Sequence, residues 1–477
     1  MNLPTSWSWE HGLLLLGLMV ASVASAHALL NKRDPRAVWG WIGVCWLFPF
    51  GGSLLYFLFG INRLEMRAHK LRPPTVNRRT RRQPRAHAQQ RPALPANLGE
   101  VARTADVLTR LPLLPGNTLR PLHNGEQTYP AMLAAIDEAR HSIALASYIY
   151  DPDRIGARIG DALARAQARG VQVRVLIDGY ADLMTGWRAS ALLKRAGVPT
   201  ARFHPPRLLP PSLHMNLRNH RKLLIVDGVH AFTGGMNISD RHYADDPTNP
   251  RPENDVHCEL HGPIAAQLLA TFCEDWHYAA GERWTPPTIE PATGGTAICR
   301  VLADGPNEDV GHLAQTLFAA ISAAHHHIRI MTPYFLPPRE LAAALEAAAL
   351  RGVQVDVVIP KQNDQRGVHY AMRHGLPHLI DEGVRVYEQP PPFAHSKLFI
   401  IDDAYAHIGS TNFDPRSLRL NFELNVEVYD EGFAGALSAH FDAVRERSHR
   451  FEAEQLRRAS LPVRLRNAFC WLFSPYL

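Results

Sequence analysis

The chain has 477 residues, 20% of them charged, and a formal net charge of +6; this length is too great for one compact core and indicates two domains plus additions. Ten Arg or Lys between Arg63 and Arg91 face only Glu65, so the rest of the chain is near neutral and its charge does not imply a nucleic-acid groove. The five cysteines are scattered, without Cys-x-x-Cys spacing, which argues against a disulfide framework or a structural zinc site and fits free thiols in a reducing compartment.

Two apolar stretches open the chain. Residues 12–30 carry no charge and are long enough to span about 30 Å of hydrocarbon. Residues 37–61 hold Trp39, Trp41, Trp46 and Tyr56, with Pro49 and Gly51-Gly52 in the middle, so a kinked or partly re-entrant segment is predicted. A cleaved signal peptide is the competing reading, because Ala24-Ser-Ala26 resembles a cleavage site. Residues 1–11, however, contain Glu10 and no Lys or Arg, so the positive n-region is missing. Residues 1–62 are therefore read as a membrane hairpin. The larger basic excess follows the second segment, which places both ends and the body after them on the cytoplasmic side. Three positives in the connecting turn, Lys32, Arg33 and Arg36, oppose that orientation locally.

Residues 63–100, rich in Pro, Arg and Gln, read as an extended linker that can adhere to anionic headgroups or act only as a topology signal. From about Val101 an α/β pattern appears twice. A β-like run (142–150), a helix (154–169) and a buried strand (170–178) recur as 328–335, 339–351 and 352–360, and Arg-Gly-Val-Gln-Val occurs in both copies. The fold class is therefore α/β, two pseudo-symmetric lobes, each a mixed sheet flanked by helices, over residues 101–290 and 291–477.

Each lobe contains His-x-Lys-x-x-x-x-Asp: His220, Lys222 and Asp227, then His395, Lys397 and Asp402. Six residues later come Gly-Gly-Met-Asn, ending at Asn237, and Gly-Ser-Thr-Asn, ending at Asn412. On a strand, residues i and i+2 share a face, so each His and Lys should project together. A lone histidine is usually a satisfied core or surface group, and His325-His-His327 reads that way. A duplicated eight-residue pattern with matched asparagines does not.

The residue types suit a phosphodiester. Lysines supply charge and asparagines supply amide donors to the phosphate. One imidazole attacks phosphorus, the other serves as acid and base, and neither a metal nor another cofactor is required. Asp255 and Glu423, at comparable distances after His220 and His395, are the candidates for orienting the imidazoles. Asp227 and Asp402 complete the catalytic motif, but they sit at the far ends of their strands and read as structural ion pairs.

At these residues the chain resembles the phospholipase D superfamily and, within it, the bacterial cardiolipin synthases. Thr332-Pro-Tyr-Phe335, Gly409 to Leu418, Leu420-Asn-Phe-Glu423 and the amino-terminal hairpin carry the same likeness. The resemblance implies phosphatidyl transfer between two phosphatidylglycerol molecules at a bacterial inner membrane, with His220 as nucleophile and His395 as acid/base. A phospholipase D giving phosphatidic acid is the alternative. A nuclease would need basic and aromatic groove residues, whereas the basic residues here cluster beside the membrane segment, so no nucleic-acid partner is expected. The loop 203–217 can line a mouth for acyl chains or be a Pro-stiffened loop. The tail 463–477 can be an interfacial anchor or can pack on the body.

Overall fold

The structure, a computed structural model, describes residues 9–32, 35–60, 92–206, 217–287, 289–305 and 311–475. Most of the basic linker, and residues 207–216 of the loop before the first motif, lie outside the described residues. The chain divides into two compact units, Met1–Thr75 and Val76–Leu477.

In the smaller unit Trp9–Asn31 is one helix of 23 residues, long and apolar enough to cross a membrane. Its buried positions, Gly17, Ala21, Ser25 and Ala28, are small and repeat at helical spacing, so the next segment packs closely on one face while the leucines stay exposed. That next segment is not one helix. Pro35–Leu47 ends at Phe48, and Pro49–Leu55 starts anew with proline in its first turn. Proline has no N–H to continue the ladder, which is why the break falls there.

The larger unit is built on a 15-stranded sheet. Leu114–His123 of the first half pairs with Ala297–Asp304 of the second at its centre. Outward in the first half run Val256–His261, His230–Gly234, Leu223–Val226, Ser142–Ser147, Gln172–Asp178 and Thr200–Phe203. Outward in the second run Glu423–Tyr429, Tyr405–Gly409, Leu398–Ile401, His327–Met331, Gln354–Pro360 and Arg385–Gln389, with His449–Arg450 added at the edge. Both halves thus lay down the same order, and in each the three strands beginning at Ser142 or His327 are parallel. The helices Arg154–Ala168 and Arg339–Leu350 supply the first crossovers. Gly170 and Gly352 follow them at φ +92° and +90°, a left-handed backbone that favours glycine and explains the repeated Arg-Gly.

Each half has its own apolar core. The helix Ala96–Thr109 precedes the first lobe in sequence yet buries Leu98, Val101, Ala102 and Ala105 in the core of the second. Its Asp106 pairs with the buried Arg300, which also pairs with Glu427. The boundary expected at residue 100 therefore falls inside a helix that belongs to the far lobe. Of the two readings of the tail, packing is observed: Leu461–Leu472 lies on Arg366–Asp381, with Arg466 over the Tyr370 ring at 3.6 Å.

Candidate active site

The strands Leu223–Val226 and Leu398–Ile401 begin one residue after Lys222 and Lys397. The His-x-Lys residues are therefore chain ahead of the ladder and not the strand residues expected from their alternation. The opposite lobe holds them. His220 N–H donates to Phe422 O at 2.9 Å, and Phe422 N–H donates to Arg218 O at 2.7 Å. On the related side Phe393–Ala394 pairs in parallel with Glu253–Asn254, and His395 N–H donates to Asn254 O at 2.7 Å.

This docking crosses the histidine partnerships. His220 Nδ1 is 3.0 Å from Glu423 Oε2 and 3.1 Å from Ser410 O; His395 Nδ1 is 2.8 Å from Asp255 Oδ2. Spacing alone would match each carboxylate with the histidine before it, whereas the contacts match it with the other one. Carboxylate and carbonyl oxygens only accept, so Nδ1 carries the proton in both rings and Nε2 keeps its lone pair.

The turns after the next strands make room for this. A Cβ on Gly235 would lie 2.3 Å from Asp255 Oδ1. The second lobe has Ser410 at that position, and its hydroxyl donates to Glu423 Oε2. Asn421 Nδ2 adds a 3.0 Å bond to Glu423 Oε1. Burial alone would raise Glu423, but His220, Lys222 and Ser410 together hold it below the usual carboxylate range.

Lys222 Nζ donates to His220 O at 2.7 Å, and Lys397 Nζ donates to His395 O. Burial pushes Lys222 down to about 7 and lowers Lys397 as well. Burial also depresses both histidines, and both lysines add to it; Glu423 partly offsets this for His220, so His395 is lowered further. The result is two neutral imidazoles beside amines poised to regain full charge when an anion enters. Asn237 Oδ1 accepts from Ile149 N–H at 3.2 Å, which leaves its Nδ2 to donate. Asn412 is buried in the corresponding turn, and its Oδ1 has no hydrogen bond among the described residues.

Asp227 and Asp402 stand apart from this pocket, and neither forms an ion pair among the described residues. Asp227 accepts from the backbone N–H groups of Arg140, His141 and Ser142 at 2.7–3.0 Å. Asp402 accepts from those of His325, His326 and His327 at 2.7–2.8 Å. Both adopt positive φ, 54° and 50°, which Asp tolerates better than most residues. Each therefore ties its motif strand to the start of the neighbouring strand.

Several contributors escaped the sequence reading. The Tyr148 ring lies edge-on to His220 at 5.0 Å and 5.5 Å from Lys222 Nζ. Buried His242 accepts from Asn237 N–H at 3.2 Å, and its ring centroid is 6.1 Å from that of His395. Ser410 and Asn421 could have been found by laying the two repeats side by side, since each stands at a fixed offset from a motif residue. Among the described residues, His230, Glu259 and His261 form a group of metal-ligand type. They sit at the opposite end of strand His230–Gly234 from the pocket, and Arg120 already binds the Glu259 carboxylate.

The family described as cardiolipin synthase, PLD-like domain, matches residues 132–276 and 317–445, and a phospholipase D-nuclease N-terminal family matches 20–60. The chain is 34% identical to a cardiolipin synthase A of Pseudomonas aeruginosa over 98% of its length and 96% of that protein's. It is 31% identical to a cardiolipin synthase of Geobacillus kaustophilus over 99% and 96% respectively. The crystal structure of a phosphatidylserine synthase from Haemophilus influenzae covers 79% of this chain, and all of that protein aligns, with a TM-score of 0.60 at 16% identity. That likeness concerns the fold.

Proposed function

The chain belongs to the PLD-like cardiolipin synthase family, and from that premise we propose that it transfers a phosphatidyl group from one phosphatidylglycerol to another, giving cardiolipin and glycerol. The observation that carries the reading is the pair of crossed dyads, His220 with Glu423 and His395 with Asp255, enclosed with Lys222 and Lys397.

In this scheme the phosphate enters between the two lysines and restores the charge that burial weakens. Asn237 and Asn412 donate to its oxygens. The His220 Nε2 lone pair forms a bond to phosphorus and the bond to the glycerol oxygen breaks; His395, which takes up a solvent proton at Nε2 once the phosphate anion lies beside it, gives that proton to the departing oxygen. A second phosphatidylglycerol then brings its terminal hydroxyl to the vacated side. His395 takes the hydroxyl proton, the oxygen bonds to phosphorus, and the phosphorus–nitrogen bond breaks to release cardiolipin and free His220. Two acceptors at Nδ1 lock the His220 tautomer, which supports its assignment as nucleophile.

Membrane association fits the apolar helix Trp9–Asn31. A hairpin with the catalytic body on the cytoplasmic side fits the basic residues that follow the second segment. The decisive experiment supplies purified protein with phosphatidylglycerol alone and separates the lipid products. Cardiolipin with an equal yield of glycerol is expected; phosphatidic acid without cardiolipin would overturn the proposal in favour of hydrolysis.

A further inference from the structure

The two lobes differ at positions where the shared fold would let them be alike. Glu253 and Asn421 each stand two residues before an orienting carboxylate, and Arg218 and Phe393 each stand two residues before a catalytic histidine. On the His220 side the matching positions carry an amide and a guanidinium instead of a second carboxylate. Asn421 donates to Glu423, Arg218 lies over the Tyr180 ring at 4.2 Å, and Asp178 accepts from the backbone N–H groups of Tyr180, Ala181 and Asn219.

The His395 side is different. Glu253 pairs with Phe393 in the two-residue strand Glu253–Asn254, directly before Asp255, and it lies close enough to Asp255, Asp364 and Lys397 to feel their charges. Four carboxylates act on Lys397: Asp255, Glu423, Glu253 and Asp364. The first two serve the histidines. Glu253 accepts no hydrogen bond among the described residues; its nearest cation is Arg241 NH1 at 3.6 Å, and its side chain is 15% exposed. Asp364 is fixed by the Tyr334 hydroxyl at 2.8 and 3.0 Å, and acceptor capacity remains on its oxygens. Burial pushes Glu253 up to about 7, as expected of an acceptor enclosed without a donor.

We propose that Glu253 and Asp364 form a headgroup subsite on the His395 side, which accepts hydrogen bonds from the hydroxyls of glycerol. The inference rests on the transfer reaction above, with His395 serving the alcohol. Leaving and attacking oxygens occupy the same side of phosphorus, opposite the histidine nitrogen, so one subsite serves the departing glycerol and then the incoming one. Arg241 already stands 3.6 Å from Glu253, and a fixed cation there suits a neutral polyol better than an ammonium headgroup.

The test offers full-length protein in phosphatidylglycerol vesicles a mixture of labelled glycerol and labelled 1-propanol as soluble acceptors. The ratio of labelled phosphatidylglycerol to phosphatidylpropanol is then read. The unaltered chain should favour glycerol. Glu253→Ala should lower the ratio about tenfold or more, the effect of one hydrogen bond to a charged group, and Glu253→Gln should restore part of it. Asp364→Asn should shift the ratio the same way and carries the test alone if Glu253→Ala does not fold. A ratio unmoved in the folded variants, or both acceptors slowed equally, would overturn the subsite. So would faster transfer from phosphatidylethanolamine vesicles than from phosphatidylglycerol. Cardiolipin formation by the unaltered chain is scored separately: if it occurs and the ratio does not move, the subsite fails and the transfer reaction stands.

Discussion

The His220 and His395 dyads share a tautomer and a cross-lobe partner, yet their carboxylates are supported unequally. Glu423 is bound by His220, the Ser410 hydroxyl and Asn421 at once. Asp255 sits against the bare Gly235 and accepts from Val256 N–H at 2.8 Å besides His395. A carboxylate spread over several donors fixes a neutral ring in place. One with fewer competing donors can stabilise a ring that gains and loses a proton. In the proposed scheme duplication supplies a symmetric scaffold, and the division of labour resides in the groups behind the histidines.

The sharpest way to break this comparison is to remove each ring. His220→Ala and His395→Ala should each lower cardiolipin formation by about 10⁴-fold or more. Labelled phosphatidyl should remain on the protein in His395→Ala and not in His220→Ala; the opposite pattern would exchange the proposed roles. Removing the supports comes next. Glu423→Gln and Asp255→Asn should cost roughly 10²- to 10⁴-fold. Rapid-quench measurements should find Glu423→Gln slowing formation of the covalent intermediate and Asp255→Asn slowing its turnover. If both variants slow the same step, the supports are interchangeable and the asymmetry has no catalytic meaning.

Asp227 and Asp402 sharpen the comparison from the other side, because here the lobes are alike. Asp227→Ala and Asp402→Ala each strip the acceptor from three backbone N–H groups, which should lower unfolding stability by about 1–3 kcal/mol, read as a shifted denaturation midpoint. Equal losses are expected. Unequal ones would extend the asymmetry from the site into the scaffold.

The duplicated motif carries its chemistry in residue identity, so its histidines, lysines and asparagines are legible as candidates in the chain, whereas Tyr148 and His242, which lie outside the motif, are not. The lobe order is legible too, because Arg-Gly-Val-Gln-Val marks the same left-handed turn twice. The crossing of the dyads is not. It depends on Phe422 and Asn254 bridging to the opposite lobe's motif, a backbone contact between segments 140 to about 200 residues apart that leaves no periodicity. The helix Ala96–Thr109 escaped for the same reason: its amphipathic pattern says that a face is buried, not in which lobe. Asp227 and Asp402 each follow the last residue of their motif strand, but a carboxylate's partner can be a side chain or the backbone, and residue type does not distinguish them.

The smallest expected effect tests whether the lysines, too, divide their labour. Burial, the dominant cause, lowers Lys222 to about 7, so in the free enzyme its charged form is lost as pH rises through that value. An amine that holds a phosphate must be protonated, and kcat/KM reports the free enzyme. The profile should therefore bend near pH 7 and fall about tenfold per unit above it. On the acid side a nucleophilic imidazole must be neutral. Burial holds His220 below 6.5, so the acid limb should lie below that value and the plateau should be narrow. Arginine cannot lose its proton in this range, so Lys222→Arg should carry the plateau to higher pH, at reduced height because a planar fork fits the lysine's place poorly. Lys397→Arg should move the limb less if Lys222 alone sets it. A basic limb that stays at about 7 in Lys222→Arg would assign that titration to a group outside the first lobe's motif.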